Sequence, residues 1–156
     1  MAMDRAKLEQ LWDETTPKLF GYLVNTLHDK TLAEDIFQST WIKAIEALPK
    51  YQERGLPFSA WLFAIARNEC KLHWRKANHE VAFDAQEHDV AVVPDTDDHV
   101  LAEQILAKLS GDDQELLRLR YIADLPMNEI AKILNTNSVA IRVRIHRALK
   151  RATALS

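Results

Sequence analysis

The chain of 156 residues has one cysteine, Cys70, and only three glycines. A single thiol cannot close an internal disulfide, which excludes a cross-linked secreted scaffold. So few glycines exclude a phosphate-cradling loop and argue against a turn-rich β-sandwich. No apolar run reaches the ~20 residues that a membrane-spanning helix needs, and Met1 to Leu11 lacks a signal-peptide core. A cytoplasmic chain with no membrane insertion is expected. What is abundant is Ala, Leu, Glu, Lys, Arg and Gln, all good helix formers, and 47% of the residues are hydrophobic, enough for a buried core. These point to an all-α fold.

The net charge of −3 is unevenly spread. Residues 1–83 balance 11 basic against 11 acidic side chains. From Asp84 to Glu115 ten acids face Lys108 alone, and from Leu116 to Ser156 eight basic residues face Asp124 and Glu129. A basic C-terminal block is the footprint of a polyanion partner, and a solvated helix surface rich in Arg and Lys fits the same count.

Helical patterning divides the chain into two small domains, 1–80 and 99–156, joined by an acidic linker over 81–98. Asp4 to Leu27 reads as one helix, or two broken near Pro17. Thr31 followed by Glu34 has the form of a capping box opening a helix over Leu32 to Leu48, and Pro57 suits the start of a helix over Phe58 to Asn78. Between Val81 and Asp98 periodicity fails around Pro94, and a flexible connection is expected. Further helices are expected over His99 to Leu109, Asp112 to Ala123, Met127 to Leu134 and Ser138 to Ala152.

On the helix after Thr31 the 3.6-residue repeat groups Ala33, Phe37, Trp41, Ala44 and Leu48 as a core face. Asp35, Gln38, Ser39, Ile42 and Glu46 lie opposite, and an apolar Ile42 among polar groups is a small sign of docking. The helix from Phe58 places Phe58, Trp61, Leu62, Ile65 and Leu72 inward, with Trp74 also expected in the core. Arg67, Lys71 and Arg75 recur every fourth residue as a basic stripe beside Asn68, suited to phosphates and a base edge. Tyr51, in the preceding loop, has a ring able to stack on an unpaired base.

Met127 to Ala152, interrupted by Asn135-Thr136-Asn137, has the length and turn chemistry of a helix-turn-helix. Ile141, Ile145, Ala148 and Leu149 form its expected buried side. Val139, Arg142, Val143, His146 and Lys150 point the other way, with chemistry for guanine and the thymine methyl. A helical hairpin used only for protein contacts fits the same pattern. No catalytic grouping is evident, and Cys70 and His73, one turn apart, are too few for a zinc site. No metal, cofactor or small-molecule substrate is expected.

In order along the chain, Leu32-Ala-Glu-Asp-Ile-Phe-Gln38, then Phe58-Ser-Ala-Trp-Leu-Phe-Ala-Ile-Ala-Arg-Asn68, then Glu129-Ile-Ala and Arg144-Ile-His-Arg-Ala148 resemble motifs of regions 2.2, 2.3 to 2.4 and 4.2. These belong to the extracytoplasmic-function (group IV) sigma factors of bacterial RNA polymerase. The resemblance implies a non-enzymatic promoter-recognition subunit whose partners are core RNA polymerase, promoter DNA and an anti-sigma factor. It implies polymerase binding through Asp35, Gln38, Ser39 and Ile42, and minus-ten binding through Tyr51, Arg54, Arg67, Asn68, Lys71 and Arg75. Minus-thirty-five binding would fall to Ser138, Val139, Arg142, Val143, His146, Arg147 and Lys150. The chain departs from the family in the turn, with Asn135 where glycine is usual, and at Ala140-Ile141-Arg142 and Val143. No further domain is expected after Ser156, so control is expected from outside the chain. Two other readings share these residues: a stand-alone operator-binding regulator, and an adaptor that uses its helices only for protein contacts.

Overall fold

The structure is a computed structural model that describes residues 5–51, 55–80 and 103–155, the side chains of 78–80 excepted. It divides into two units, Met1–Ala91 and Val92–Ser156. The expected linker over 81–98 lies outside the described residues, as do Arg54 and the start of the helix expected from His99. All the regular structure among the described residues is helical.

In the first unit α1 (Arg5–Leu27), α2 (Lys30–Ala47) and α3 (Phe58–Glu80) pack against one another. Helix α1 is unbroken at Pro17, which removes one backbone donor. Both Pro17 and Asp13, whose carbonyl loses that donor, are exposed residues, so the lost bond falls on the side away from the core. The buried residues Thr15, Leu19, Tyr22, Leu23 and Thr26 follow the helical repeat. His28 turns the chain with a left-handed φ of 55°. The N-cap of α2 is therefore Asp29, whose carboxylate accepts from the Leu32 N–H at 3.1 Å, and not Thr31. Once His28 has reversed the chain, helical geometry begins at Lys30, and Thr31 already lies inside the first turn.

Leu19, Leu23 and Leu62 are fully buried and Tyr22 and Phe63 nearly so. Each such side chain contributes about 1.5–3 kcal/mol relative to exposure. Rings extend this core across the three helices, with Trp12 and Trp41 centred 4.0 Å apart, Trp41 and Phe58 6.3 Å, and Tyr22 and Phe63 5.4 Å. The Lys43 ammonium donates to the buried Glu69 carboxylate at 2.6 Å, tying α2 to α3. Trp74 departs from expectation: it is 44% exposed, and Leu72 is 37% exposed. Among the described residues of α3 none after Cys70 is buried, because this end of the helix extends past the parts that cover its first half.

The second unit contains a helix over 103–107, called α4, then α5 (Gly111–Leu117), α6 (Met127–Ile133) and α7 (Ser138–Leu155). Helix α5 runs on through a wider π-type turn, Arg118–Ile122, closed by the Ala123 N–H on the Arg118 carbonyl at 2.9 Å. Leu109, Leu117 and Ala148 form a buried cluster with Leu106 and Ala152 against it, while Leu119, Ile130 and Ile141 are also sealed from solvent. Leu149, expected inside, is 40% exposed, because the buried stripe of α7 is narrow and holds Ile141, Ile145 and Ala148.

Ser110 caps α5, its hydroxyl accepting from the Asp113 N–H at 3.2 Å. The Asp113 carboxylate takes two bonds from the Arg151 guanidinium, at 2.6 and 2.8 Å, and so fastens α5 to α7. These bonds hold the Asp113 carboxyl below its ordinary value; burial opposes them, and the Arg151 charge and the Ser110 side chain reinforce them. The unfolded chain therefore binds the proton more readily than the folded one. The pair's contribution is present in full above the ordinary carboxylate pKa, and it is lost as pH falls through the depressed value. Amide protection in the second unit, followed by hydrogen exchange, should weaken below about pH 4. In Asp113→Asn that acid-dependent part should vanish, with protection at neutral pH lower by about 0.5–1 kcal/mol, since solvent at the half-exposed Arg151 screens the pair.

Candidate functional site

Three helical surfaces carry the residues singled out from the sequence. On α2 the inward residues Ala33, Ile36, Thr40, Trp41 and Ala44 set the rotation, and Thr40 Oγ1 donates to the Ile36 carbonyl at 2.7 Å. Asp35 and Gln38 are exposed and Ser39 is half-buried. Ile42 is 59% exposed, and Ile45, not expected there, is 62% exposed. The buried stripe centres between Thr40 and Ala44 rather than on Phe37, which turns Ile45 outward beside Gln38 and Ile42. The result is a ridge with a polar end at Asp35 and an apolar end at Ile45. A patch of two adjacent isoleucines is more of a docking signal than the single one visible from the sequence.

Helix α3 presents Asn68, Lys71 and Arg75 to solvent and leaves Arg67 half-buried. These four residues share one side of the helix, as their spacing requires. Tyr51 sits apart from them in its surroundings: its ring lies 4.6 Å from that of Trp61 and 6.0 Å from that of Phe58, and its hydroxyl donates to the Leu56 carbonyl at 2.8 Å. Those contacts secure the start and the end of the loop that precedes α3. Trp74 joins the exposed side of α3 next to Arg75, a placement that periodicity alone did not reveal.

In the second unit the turn between α6 and α7 is built by its asparagines. The Thr136 N–H bonds the Ala131 carbonyl at 2.8 Å and the Asn135 N–H bonds the Lys132 carbonyl at 3.3 Å, a Schellman closure of α6. It requires a left-handed residue, and Asn135 takes φ 58°. Asn137 then caps α7, its side-chain oxygen accepting from the Ala140 N–H at 2.9 Å. With Ile141, Ile145 and Ala148 buried, α7 turns Val139 (65% exposed), Val143 (41%), Arg142, His146, Arg147 and Lys150 outward, and Ser138 is half-buried at its start.

Among the described residues no group of three or more His, Cys, Asp or Glu side chains is placed to hold a metal ion. No described helix is long and apolar enough to cross a membrane.

Residues 11–80 match the family model for sigma-70 region 2, and residues 99–151 match that for sigma-70 region 4. The ECF RNA polymerase sigma factor SigD of Mycobacterium tuberculosis is 30% identical, over 97% of this chain and 77% of the relative. ShbA of Streptomyces griseus, another ECF RNA polymerase sigma factor, is 32% identical over 79% of this chain and 71% of its own. The chain belongs to the ECF RNA polymerase sigma factors. Among solved structures, this sigma factor resembles RpoE of Bartonella quintana, described in complex with the anti-sigma factor NepR. The TM-score is 0.81, with 25% identity over 96% of both chains. It also resembles CnrH, described in complex with the cytosolic domain of CnrY, with a TM-score of 0.70 and 26% identity over 97% of this chain and 88% of that one. The region 2 match holds the α2 ridge and the basic side of α3, and the region 4 match holds the α6–α7 turn and the outward face of α7 up to Lys150.

The left-handed residue of that turn is open to test. Asn135→Gly should keep or slightly raise the thermal stability of the second unit, since glycine adopts positive φ without cost. Asn135→Val should lower it by about 1–2 kcal/mol, because a β-branched side chain crowds its own backbone there. Hydrogen exchange at α6 and α7 amides reads both.

Proposed function

We propose that this sigma factor divides its work between two domains: residues 1–80 bind core RNA polymerase and the minus-ten element, and residues 99–156 read the minus-thirty-five element. Residues 81–98 then serve as the acidic connection. The observation that carries this reading is the outward face of α7. Val139 and Val143 lie exposed among Arg142, His146, Arg147 and Lys150. Exposed valines on a cationic helix gain nothing from water, but in a major groove a valine methyl packs on the thymine methyl while Arg bonds guanine. With the half-buried Ser138 at its start, this face is the minus-thirty-five reader.

On α3, Asn68, Lys71 and Arg75, together with Arg67, engage the minus-ten element, with Arg54 and Tyr51 contributing from the preceding loop. Tyr51 does so chiefly by holding the loop through its contacts with Trp61 and Leu56. The ridge of Asp35, Gln38, Ser39 and Ile42, extended by Ile45, docks on the polymerase. That ridge is what a stand-alone operator-binding protein would not need. The chain is not itself a catalyst: bond formation belongs to the polymerase, and this subunit supplies location and help in opening the duplex. It works in the cytoplasm, where core polymerase and promoter DNA are found. An anti-sigma factor holds it in reserve, as NepR is bound to RpoE in the related structure. Covering the exposed isoleucines and valines would favour such a complex.

Transcription with purified core polymerase on a pool of genomic fragments tests the whole reading, the expected result being initiation at a restricted promoter set that core alone does not use. Arg142→Ala should weaken use of those promoters by about 1–3 kcal/mol, the loss of one base contact, without affecting polymerase binding. Ile42→Glu should do the reverse, lowering affinity for core polymerase while leaving the helical circular dichroism unchanged, since its side chain already faces solvent. Unaltered association would remove the ridge from the interface.

A further inference from the structure

Beyond Phe63 the apolar hold on α3 is thin. Among the described residues of that stretch only Ala66, Glu69 and Cys70 are buried, and Ala66 and Cys70 are small side chains. Asn68, Lys71, Arg75 and the half-buried Arg67 all lie in it. Contacts through Ala66 and Cys70 decide which side of the helix faces the core, but apolar burial is non-directional and leaves the fine rotation loosely set. A rotation of roughly 20° carries a side-chain end ~2 Å around the helix axis, enough to take an amide out of hydrogen-bond reach of a base.

Glu69, which directly follows Asn68, makes the directional contact on this stretch. Its side chain is 9% exposed, and its Oε2 accepts from the Lys43 ammonium of α2 at 2.6 Å. Lys43 stands at the edge of the buried stripe of α2, one turn after the buried Thr40. A buried ion pair is a weak source of stability, because desolvation offsets much of the attraction, and apolar residues of similar volume hold two helices together as well or better. What the pair has and apolar residues lack is a defined distance and angle.

We propose that Lys43 and Glu69 are positioning residues of the minus-ten surface: the pair fixes the rotation of α3 beyond Phe63, and with it the point at which Asn68 meets a base edge. This rests on the minus-ten reading of α3 and adds to it two residues that act through Asn68.

The test uses full-length protein on core polymerase and a promoter recovered from the genomic pool, presented as a fork with an unpaired minus-ten strand and as a set of forks in which each minus-ten base is exchanged in turn. The position read by Asn68 is the one whose exchange weakens binding of the wild type and not of Asn68→Ala. At that position Lys43→Met with Glu69→Leu should lower discrimination about tenfold, the worth of one hydrogen bond, while Tm stays at or above that of the wild type and the minus-thirty-five preference is unchanged. Lys43→Arg, which keeps a cation of similar reach, should retain discrimination. Full discrimination in the double variant would overturn the proposal and leave the minus-ten reading standing. So would a lower Tm or an equal loss at every position, either of which marks the pair as a general prop. If no position couples to Asn68, the minus-ten reading fails and this proposal with it.

Discussion

The rotation of α3 about its own axis is fixed by Leu62, Phe63, Ala66 and Cys70, which are all but sealed from solvent. Everything that the helix displays follows from that. With a repeat of 3.6 residues, burying those four positions leaves no freedom for Asn68, Lys71 and Arg75 except to face outward. The Lys43–Glu69 pair adds a check on register, since a buried carboxylate displaced from its ammonium would stand uncompensated. The same coupling operates on α2, where Ala33, Ile36, Thr40 and Ala44 are turned inward and the Asp35 to Ile45 ridge is thereby turned out. The first unit is thus a device for aiming two polar surfaces by means of one apolar core.

The second unit solves a different problem, that of holding a short helix and a long one at a defined turn with little core between them. Two local motifs do most of it. The Schellman closure at Asn135 and the cap at Asn137 satisfy the backbone groups where α6 ends and α7 begins, so the turn needs no deep burial of its own. Far along α7, the Arg151–Asp113 pair sets where that helix lies on α5. It is a two-bond, geometrically exacting contact, of the kind that orients as well as stabilises. Between these fixed points the outward side of α7 is free to vary in chemistry without disturbing what supports it.

The all-α fold and the helix-turn-helix were legible because their signals are local. Asparagines at a three-residue break, capping side chains and an apolar repeat act within one or two turns of where they stand. The outward placement of Asp35, Gln38 and Ile42, and of Val139, Arg142 and His146, was legible for the same reason. What periodicity does not carry is where a partner helix stops. Trp74 continues the apolar spacing of α3 past the parts that cover its first half, whereas Leu149 stands at the edge of the narrow buried stripe of α7, which is still covered at Ala152; both are partly exposed because cover is supplied by distant residues. Ile45 was missed through a small error in the centre of the buried arc of α2, which falls between Thr40 and Ala44 rather than on the larger Phe37. Asp29 displaced Thr31 as a cap because the left-handed turn at His28 starts the helix earlier than the Thr31–Glu34 spacing suggests.

Charge supplies the remaining step. Residues 116–156 carry an excess of six positive charges, but the whole chain is net negative at −3, so the acidic residues 84–115 more than offset them. A single helix-turn-helix presents an interface of only ~600–1,000 Å², too small for strong binding once its long-range attraction to phosphate is reduced. Under the proposed division of labour, affinity must then come from joining two weak surfaces on one scaffold. With both held by the polymerase, binding of one DNA element raises the effective concentration of the other, and the gain multiplies without any new contact. On that proposal a chain so balanced would bind DNA poorly alone and well in the assembly, and a free sigma subunit would be kept from promoters that it has no means to transcribe.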